Sequence, residues 1–347
     1  MLLIDGSQGE GGGQMLRSSL ALSLALERPF RMVHIRKKRE KGGLRPQHLV
    51  CVRAAARIGN AHVEGAEVGS RELVFEPGPT SAGVYEFDIG TAGSTTMVLQ
   101  TILLPLMLRA GASSKVRIVG GTHNPLAPSF DFIERTYLPV LAKMGGTATI
   151  RIEQHGFYPV GGGVIAATIE PSTLGHLTLL ERGPIRSTAI KAGVANIPTH
   201  IAEREIHTVC EILGWAPAVG RVEQLTAKGG GNALLADVTS DAINLVFSAT
   251  GERGVRAEVV ASRLAGEIRR YLAHDVPVDE HLADQLMLPM ALGLGGSYRT
   301  TKLSLHTTTH IDLIRQWTGL VVDTTEEKNG TVRVDVPGLG DRLFNEA

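Results

Sequence analysis

The sequence predicts an α/β (α+β) fold of three repeated strand–turn–helix units with a smaller α/β domain inserted, and three observations lead there. First, one order of pattern recurs: Leu2 to Asp5 as strand, Gly6 to Gln14 as turn and Met15 to Leu26 as helix. It returns as Tyr85 to Gly90, Thr91 to Ser94 and Thr95 to Arg109, and again where Val278 to Gln285 leads into a helix from Leu286 to Leu292. Second, Gln14 and Gln100 lie 86 residues apart but Gln100 and Gln285 lie 185 apart. A repeat of about 88 residues therefore leaves about 95 residues of insertion in the second interval. Third, that interval carries its own elements: helices from Thr199 to Leu213 and Arg256 to Ala273, and strands from Ser187 to Ala192, Ala233 to Val238 and Asn244 to Ser248. The limits that follow are 1–182 and 276–347 for the repeat body and 183–275 for the inserted domain.

In chain order, the first turn, Asp5-Gly6-Ser7-Gln8-Gly9-Glu10-Gly11-Gly12-Gly13-Gln14, opens a helix. Backbone N–H groups of such a loop and of the helix N-terminus form an anion site. A carboxylate at Glu10 repels phosphate unless a divalent cation lies between, so loop plus Glu10 suggests phosphate with Mg²⁺ or Mn²⁺; a turn that only lets a helix pack on a sheet gives the same glycines. From Arg31 to Arg45 there are seven basic residues against Glu40 alone, followed by a helix from Pro46 to Arg57. The run suits phosphates, though a solvated face reads alike, and without interleaved aromatics it gives no base stacking. Val116 to Val119 leads into Gly120-Gly121-Thr122-His123-Asn124-Pro125-Leu126-Ala127-Pro128, a loop placed to wall a pocket, and a helix follows from Phe130 to Met144.

Near the end, Lys302 to His306 alternates like a strand, with Leu303 and Leu305 on one face and Lys302, Ser304 and His306 on the other. Thr309 reads as the N-cap of the following helix, which Gly319 stops. His306 thus stands where strand meets helix, with a neutral imidazole available as nucleophile, general base or metal ligand; a surface histidine in a Thr-rich turn has the same local pattern.

Composition narrows the classes. Lys+Arg and Asp+Glu balance at 35 each, so any nucleic acid is held by a local patch rather than a global field. Cys51 and Cys210 lack metal-ligand spacing and read as buried thiols of a reducing compartment. The longest apolar run, Val98 to Leu108, is interrupted by Gln100, Thr101 and Pro105 and is too short to span a bilayer. The expectation is a soluble cytoplasmic protein without a membrane partner.

Taken together, the opening Gly-rich loop, the Arg36–His48 stretch, Gly120-Gly121-Thr122-His123-Asn124-Pro125, His155-Gly156-Phe157-Tyr158-Pro159, Leu282-Ala283-Asp284-Gln285 and His306 resemble, in order and nearly end to end, the RNA 3′-terminal phosphate cyclase family. The resemblance implies three βαβαββ units, each a small sheet on two helices, around the insertion. It implies a ligase that uses ATP to close an RNA 3′-phosphate into a 2′,3′-cyclic phosphodiester, releasing AMP and pyrophosphate. His306 would be the adenylylated nucleophile and Glu10 the metal-binding residue. Gln100, Pro128, His281, Leu282, Ala283, Asp284 and Gln285 would contact ATP, and Gln14, Arg17, Arg36, Arg39 and Gln47 the phosphate and RNA end. Asp284 would orient the His306 ring or hold ribose hydroxyls; as a bland alternative, Asp284 and Gln285 would cap their helix. His310 stands where the family commonly has Asn, His281 where it often has Tyr, and Arg45-Pro46 where many members keep a different Leu/Arg order. A non-catalytic ribosome-assembly factor of the same fold, and an enolpyruvyl-type transferase on comparable repeats, are the rival readings.

Overall fold

The computed structural model describes residues 1–340 and 342–345. In the first repeat, β1 (Leu2–Asp5), α1 (Gly13–Leu26), β2 (Phe30–Val33), α2 (Pro46–Ile58), β3 (His62–Glu64) and β4 (Leu73–Glu76) make a sheet of order β1-β2-β4-β3. Only β1 and β2 run parallel, joined by a helical crossover as parallel strands require. The second repeat copies the plan with β5 (Val84–Asp88), α3 (Thr95–Arg109) and β6 (Ser114–Gly120). Its second helical segment is α4 (Phe130–Phe132), a π turn (Ile133–Tyr137) and α5 (Leu138–Lys143), followed by β7 (Ala148–Gln154) and β8 (Gly163–Ile169) in the order β5-β6-β8-β7.

The third repeat is split. Its first strand, β9 (Leu177–Leu179), comes before the fourth sheet, which is built from β10 (Ile185–Ala195), β11 (Gly220–Gln224), β12 (Gly231–Ser240) and β13 (Asn244–Thr250) in the order β11-β10-β12-β13. Two helices accompany that sheet, α6 (His200–Leu213) and α7 (Ala257–Leu272). The chain then completes the third repeat with α8 (Glu280–Leu292), β14 (Gly296–Thr300), α9 (Leu305–Thr318), β15 (Asp323–Glu326) and β16 (Val332–Val336), giving the order β9-β14-β16-β15 with β9 parallel to β14.

Two sequence expectations are corrected. The segment Val278 to Gln285 is not a strand and turn: Val278 makes only a bridge to Thr300, and α8 begins at Glu280 because Asp279 Oδ1 accepts the Leu282 N–H at 2.8 Å. Counted from the N-caps Ser94 and Asp279, Gln100 and Gln285 are equivalent; counted from Gly12, α1 carries Ser18 there, so Gln14 lies one turn earlier than the repeat register.

The loop from Gly120 to Pro128 lies beside a seam with the inserted sheet. Thr122 N–H donates to the Gly156 carbonyl at 2.9 Å, and His155 N–H donates to the Thr226 carbonyl at 3.1 Å. Phe157 packs with Ala195, Leu225 and Ala233 of the inserted sheet. Beneath them His123 Nε2 lies 2.8 Å from Asp131, which also binds Arg135 at 2.8 Å, and Arg135 reaches Asp237 on β12. Removing one member of such a buried chain strands the others, so it holds the inserted sheet in one register against the second repeat.

The helices α1, α3 and α8 keep almost no solvent face, as apolar helices hydrophobic all round must. They meet in the middle of the molecule, which makes their few large polar residues conspicuous. Cys51 and Cys210 are free and buried. Among the described residues no helix is long and apolar enough to cross a membrane.

Candidate active site

His306 lies in the first turn of α9, not at the end of a strand. Ser304 is the N-cap, its hydroxyl accepting the Thr307 N–H at 3.1 Å, and β14 has already ended at Thr300. The Leu303/Leu305 alternation misled because two apolar residues around a good capping serine fit either pattern. Thr309, expected as the cap, is inside the helix. Its hydroxyl donates to the Leu305 carbonyl at 2.6 Å and accepts the Glu10 N–H at 2.9 Å, tying the Gly-rich loop to α9. Gly9 is left-handed there (φ +53), and a Cβ on it would meet Thr309 Oγ1 at 2.2 Å. Burial, then the charges of Arg17 and Arg39, lower the His306 pKa, so the exposed imidazole is neutral at neutral pH.

Behind the ring, Gln14 on α1 bridges two partners. Its Nε2 donates to Asp284 Oδ2 at 2.7 Å, and its Oε1 lies 2.9 Å from His306 Nδ1. Asp284 therefore reaches the ring through Gln14, and it is not a helix cap, since Asp279 holds that place. Burial pushes the Asp284 carboxyl up to about 7. His310 is buried and pushed down to about 4 by that burial. Its Nδ1 donates to the Asp284 backbone carbonyl at 2.9 Å, so its Nε2 accepts from the Ser18 hydroxyl at 2.9 Å.

On the phosphate side, Glu10 is nearly buried; Arg39 pairs with its Oε1, while its Oε2 is buried without a partner among the described residues. Arg17 lines the cleft, and burial lowers its pKa. Arg36 and Gln47 are committed elsewhere. Arg36 Nη1 donates to the Lys41 and Gly43 carbonyls at 2.8 and 3.1 Å, closing its own loop. Gln47 Oε1 accepts the Ser94 N–H at 2.9 Å, and its Nε2 contacts Met97 Sδ at 2.8 Å, pinning α2 to the start of α3.

Of the positions expected to face a nucleotide, Gln100 Nε2 donates to Gln285 Oε1 in the same small cleft as Gln14, Arg17, Ser18, Asp284 and His310. That cleft encloses about 60 Å³, room for a few waters. Pro128 is one turn nearer the start of α3, its carbonyl accepting from Thr96 Oγ1 at 2.7 Å. Leu282 and Ala283 turn their side chains into the core, and the Ala283 carbonyl already accepts from Tyr298. His281 is exposed and borders a second cavity of about 510 Å³ between α7, the start of α8 and Lys302. Burial works against its imidazolium, but Asp279, Glu267, Glu280 and Asp284 outweigh it and raise the pKa.

The sequence reading missed Ser18, Thr309 as the loop tie, and the cavity residues Phe247, Arg270, Tyr271 and Lys302. Ser18 had a local signal, since it follows Gln14 by four residues on one helix face. The cavity residues had none, because they come from the inserted domain and the third repeat at once.

A family model described as RNA 3′-terminal phosphate cyclase matches residues 8–324. The chain belongs to that family. A relative from Ectopseudomonas mendocina (strain ymp) named RNA 3′-terminal phosphate cyclase is 46% identical over 327 residues, 94% of this chain and 96% of its own. Relatives of the same name from Koribacter versatilis (strain Ellin345) and Ralstonia nicotianae (strain ATCC BAA-1114 / GMI1000) are 45% and 46% identical over 331 and 337 residues. They cover 95% and 96% of this chain and 93% and 96% of their own lengths. The family model thus reaches into all three repeats and covers the inserted sheet.

Proposed function

We propose that this chain converts an RNA 3′-phosphate into a 2′,3′-cyclic phosphodiester, using ATP and releasing AMP and pyrophosphate, by way of an adenylylated His306. The observation that carries the reading is the His306 imidazole: exposed, neutral, held in the first helical turn, and close enough to Arg17 and Arg39 to feel their charge.

In the first step the imidazole lone pair forms a bond to the α-phosphorus of ATP while the P–O bond to pyrophosphate breaks and pyrophosphate takes the electron pair. In the second, an oxygen of the RNA 3′-phosphate displaces the imidazole and takes the adenylyl group. In the third, the adjacent 2′-hydroxyl attacks the activated phosphate, AMP leaves with the bonding pair, and the hydroxyl proton passes to solvent; proximity within one nucleotide drives closure. Arg17 and Arg39 would oppose the charge that builds on phosphoryl oxygens.

The 510 Å³ cavity falls in the range of small-molecule sites, about 300–1,000 Å³, and supports a nucleotide beside His281, with Asp284 and Gln285 further along α8 and Gln100 paired to Gln285 from α3. Pro128 would be reached beside the start of α3. Because Phe247, Arg270 and Tyr271 line it, we read residues 183–275 as a domain that closes one wall of a site carried by 1–182 and 276–347. A divalent cation fits Glu10, whose buried Oε2 has no protein partner among the described residues. Among the described residues no group of three or more His, Cys, Asp or Glu could hold a metal, so phosphate oxygens and water would complete the shell, as is usual for Mg²⁺. Bound there, the cation would neutralise charge on the phosphates. The enzyme would act in the cytoplasm, where its free thiols stay reduced. A non-catalytic scaffold has no use for a neutral, positioned imidazole, and nothing in the site favours that reading.

The test is incubation with α-labelled ATP and divalent metal, followed by denaturation. Acid-labile label on the wild type and none on His306→Ala is expected, with cyclisation of a 3′-phosphate oligonucleotide lost in parallel. No label on the wild type, or undiminished label on the variant, would overturn the mechanism.

A further inference from the structure

The Gln14 amide has both ends occupied, and its orientation decides the state of the nucleophile. Asp284 Oδ2 sits 2.7 Å from one end. Above its pKa of about 7 Asp284 is a carboxylate, which only accepts, so the NH₂ group then faces it; the reversed amide would set oxygen against oxygen. His310 does not reverse it: its Nδ1 proton goes to the Asp284 backbone carbonyl at 2.9 Å, and the long 3.4 Å approach that a reversed amide oxygen would gain from it is outweighed by the 2.7 Å oxygen–oxygen contact with the Asp284 carboxylate. The amide oxygen is then left to His306 Nδ1 at 2.9 Å, and an oxygen acceptor there requires a proton on that ring nitrogen. Gln14 itself is 7% exposed, with both ends of its amide already engaged.

We infer that Gln14 is a positioning residue that locks His306 in its Nδ1–H tautomer, leaving the Nε2 lone pair as the attacking atom, with Asp284 acting on the ring through the amide. The inference deepens the proposed reaction and rests on it for its catalytic meaning. As Nε2 bonds to phosphorus the ring becomes cationic while Nδ1 keeps its proton, and the bond to the Gln14 oxygen strengthens because its donor is now charged. The Asp284 carboxylate polarises the same amide from the far side. When the RNA phosphate displaces the imidazole, the ring returns to the same neutral tautomer and needs no proton rearrangement before the next ATP.

The experiment is ¹⁵N spectroscopy of histidine-labelled protein without nucleotide, with the His306 signals identified by their loss in His306→Ala. The wild type is expected to show a protonated Nδ1 and an unprotonated Nε2 at pH 8, where Asp284 is ionised. Gln14→Met, close in shape but without an acceptor, should release the ring to mixed tautomers and slow self-adenylylation about 10- to 100-fold, the range for losing an outer partner that fixes a histidine tautomer. Asp284→Asn can turn its own oxygen to the Gln14 NH₂ group, so it should keep the tautomer while slowing adenylylation. A wild-type ring protonated on Nε2 overturns the inference without recourse to any variant. So does a tautomer unchanged in Gln14→Met, which with slowed transfer of AMP to RNA would make Gln14 a substrate contact. A wild type that takes no label would remove the cyclase reading instead, while the tautomer still decides the lock.

Discussion

The inserted domain carries a buried acid whose titration makes a quantitative prediction. Glu205 on α6 is 1% exposed; its Oε1 accepts from Asn232 Nδ2 at 2.6 Å, and its Oε2 has no partner among the described residues. Neighbouring Arg204 is turned away into a two-point pair with Glu258 at 2.7 and 2.9 Å. Burial therefore dominates and pushes the Glu205 carboxyl from 4.5 up to about 7, against the smaller opposing effects of Asn232 and Arg204. The folded state holds this proton more tightly than the unfolded chain, so stability from this group is fully present below pH 4.5 and is lost as pH rises to about 7. The displacement corresponds to about 3 kcal/mol. Glu205→Gln keeps the Asn232 bond and cannot ionise, so it should lack that loss. Thermal melts of both proteins at intervals from pH 4.5 to 8 should show the wild type falling relative to the variant by about 5 °C or more, at about 2 °C per kcal/mol for a chain of this size. Every other titrating group cancels in the difference. Parallel melting curves across that range would refute the reasoning, and a wild type that gains on the variant as pH rises would mean the acid is paired in a way the geometry does not show.

Other outcomes follow from the site. Ser304→Ala removes the cap of the turn that bears His306, so it should cost about 1 kcal/mol in denaturant melts and slow adenylylation without abolishing it. Gly9→Ala adds a Cβ against Thr309 in a left-handed position, and a loss of about 1–3 kcal/mol with weakened activity is expected; an unchanged melt would mean the loop is not tied to α9. Lys37 and Lys41 are exposed on the basic loop, so charge reversal at both should weaken RNA binding and flatten its salt dependence while His306 labelling stays near wild type. Arg135→Met removes the cation shared by Asp131 and Asp237, leaving His123 to the one and Asn244 to the other, and a loss of about 1.5–3 kcal/mol is expected in the same melts.

How much of this was legible in the sequence depends on whether a signal was local. The helices α1, α3, α6 and α7 and the strands β12 and β13 of the inserted sheet fall within two residues of where apolar pattern and turn residues put them, whereas β10 runs further and β11 gave no signal that was read. By contrast β9 is only three residues long and belongs to a repeat whose remainder begins about a hundred residues later; its parallel pairing with β14 reveals it. The start of α9 was lost because Ser304 and Thr309 are both good caps, and tertiary packing, not propensity, chose between them: Thr309 was needed to hold Glu10. The motifs at His123 and His155 were visible as motifs, yet their work at the seam with the inserted sheet was not, since nothing in either says what lies against it.

The candidate site nonetheless left a physical trace. A helix with no solvent face must satisfy every polar side chain internally. Serine and threonine can do so on their own helix or its exit, as Thr101 does on the Met97 carbonyl at 2.9 Å and Ser23 on the Arg28 carbonyl at 2.7 Å, so they mark nothing. Amides, guanidinium groups and carboxylates are too long or too strongly charged for that and must find partners on another element. In the three buried helices those residues include Gln14, Arg17, Gln100, Asp284 and Gln285, and the structure brings all five to one cleft. Chain separations of 270 residues between Gln14 and Asp284 and 292 between Gln14 and His306 put the pairing beyond any local pattern. Their shared need for a partner was legible, and a central cleft is where these five residues of the three enclosed helices meet it.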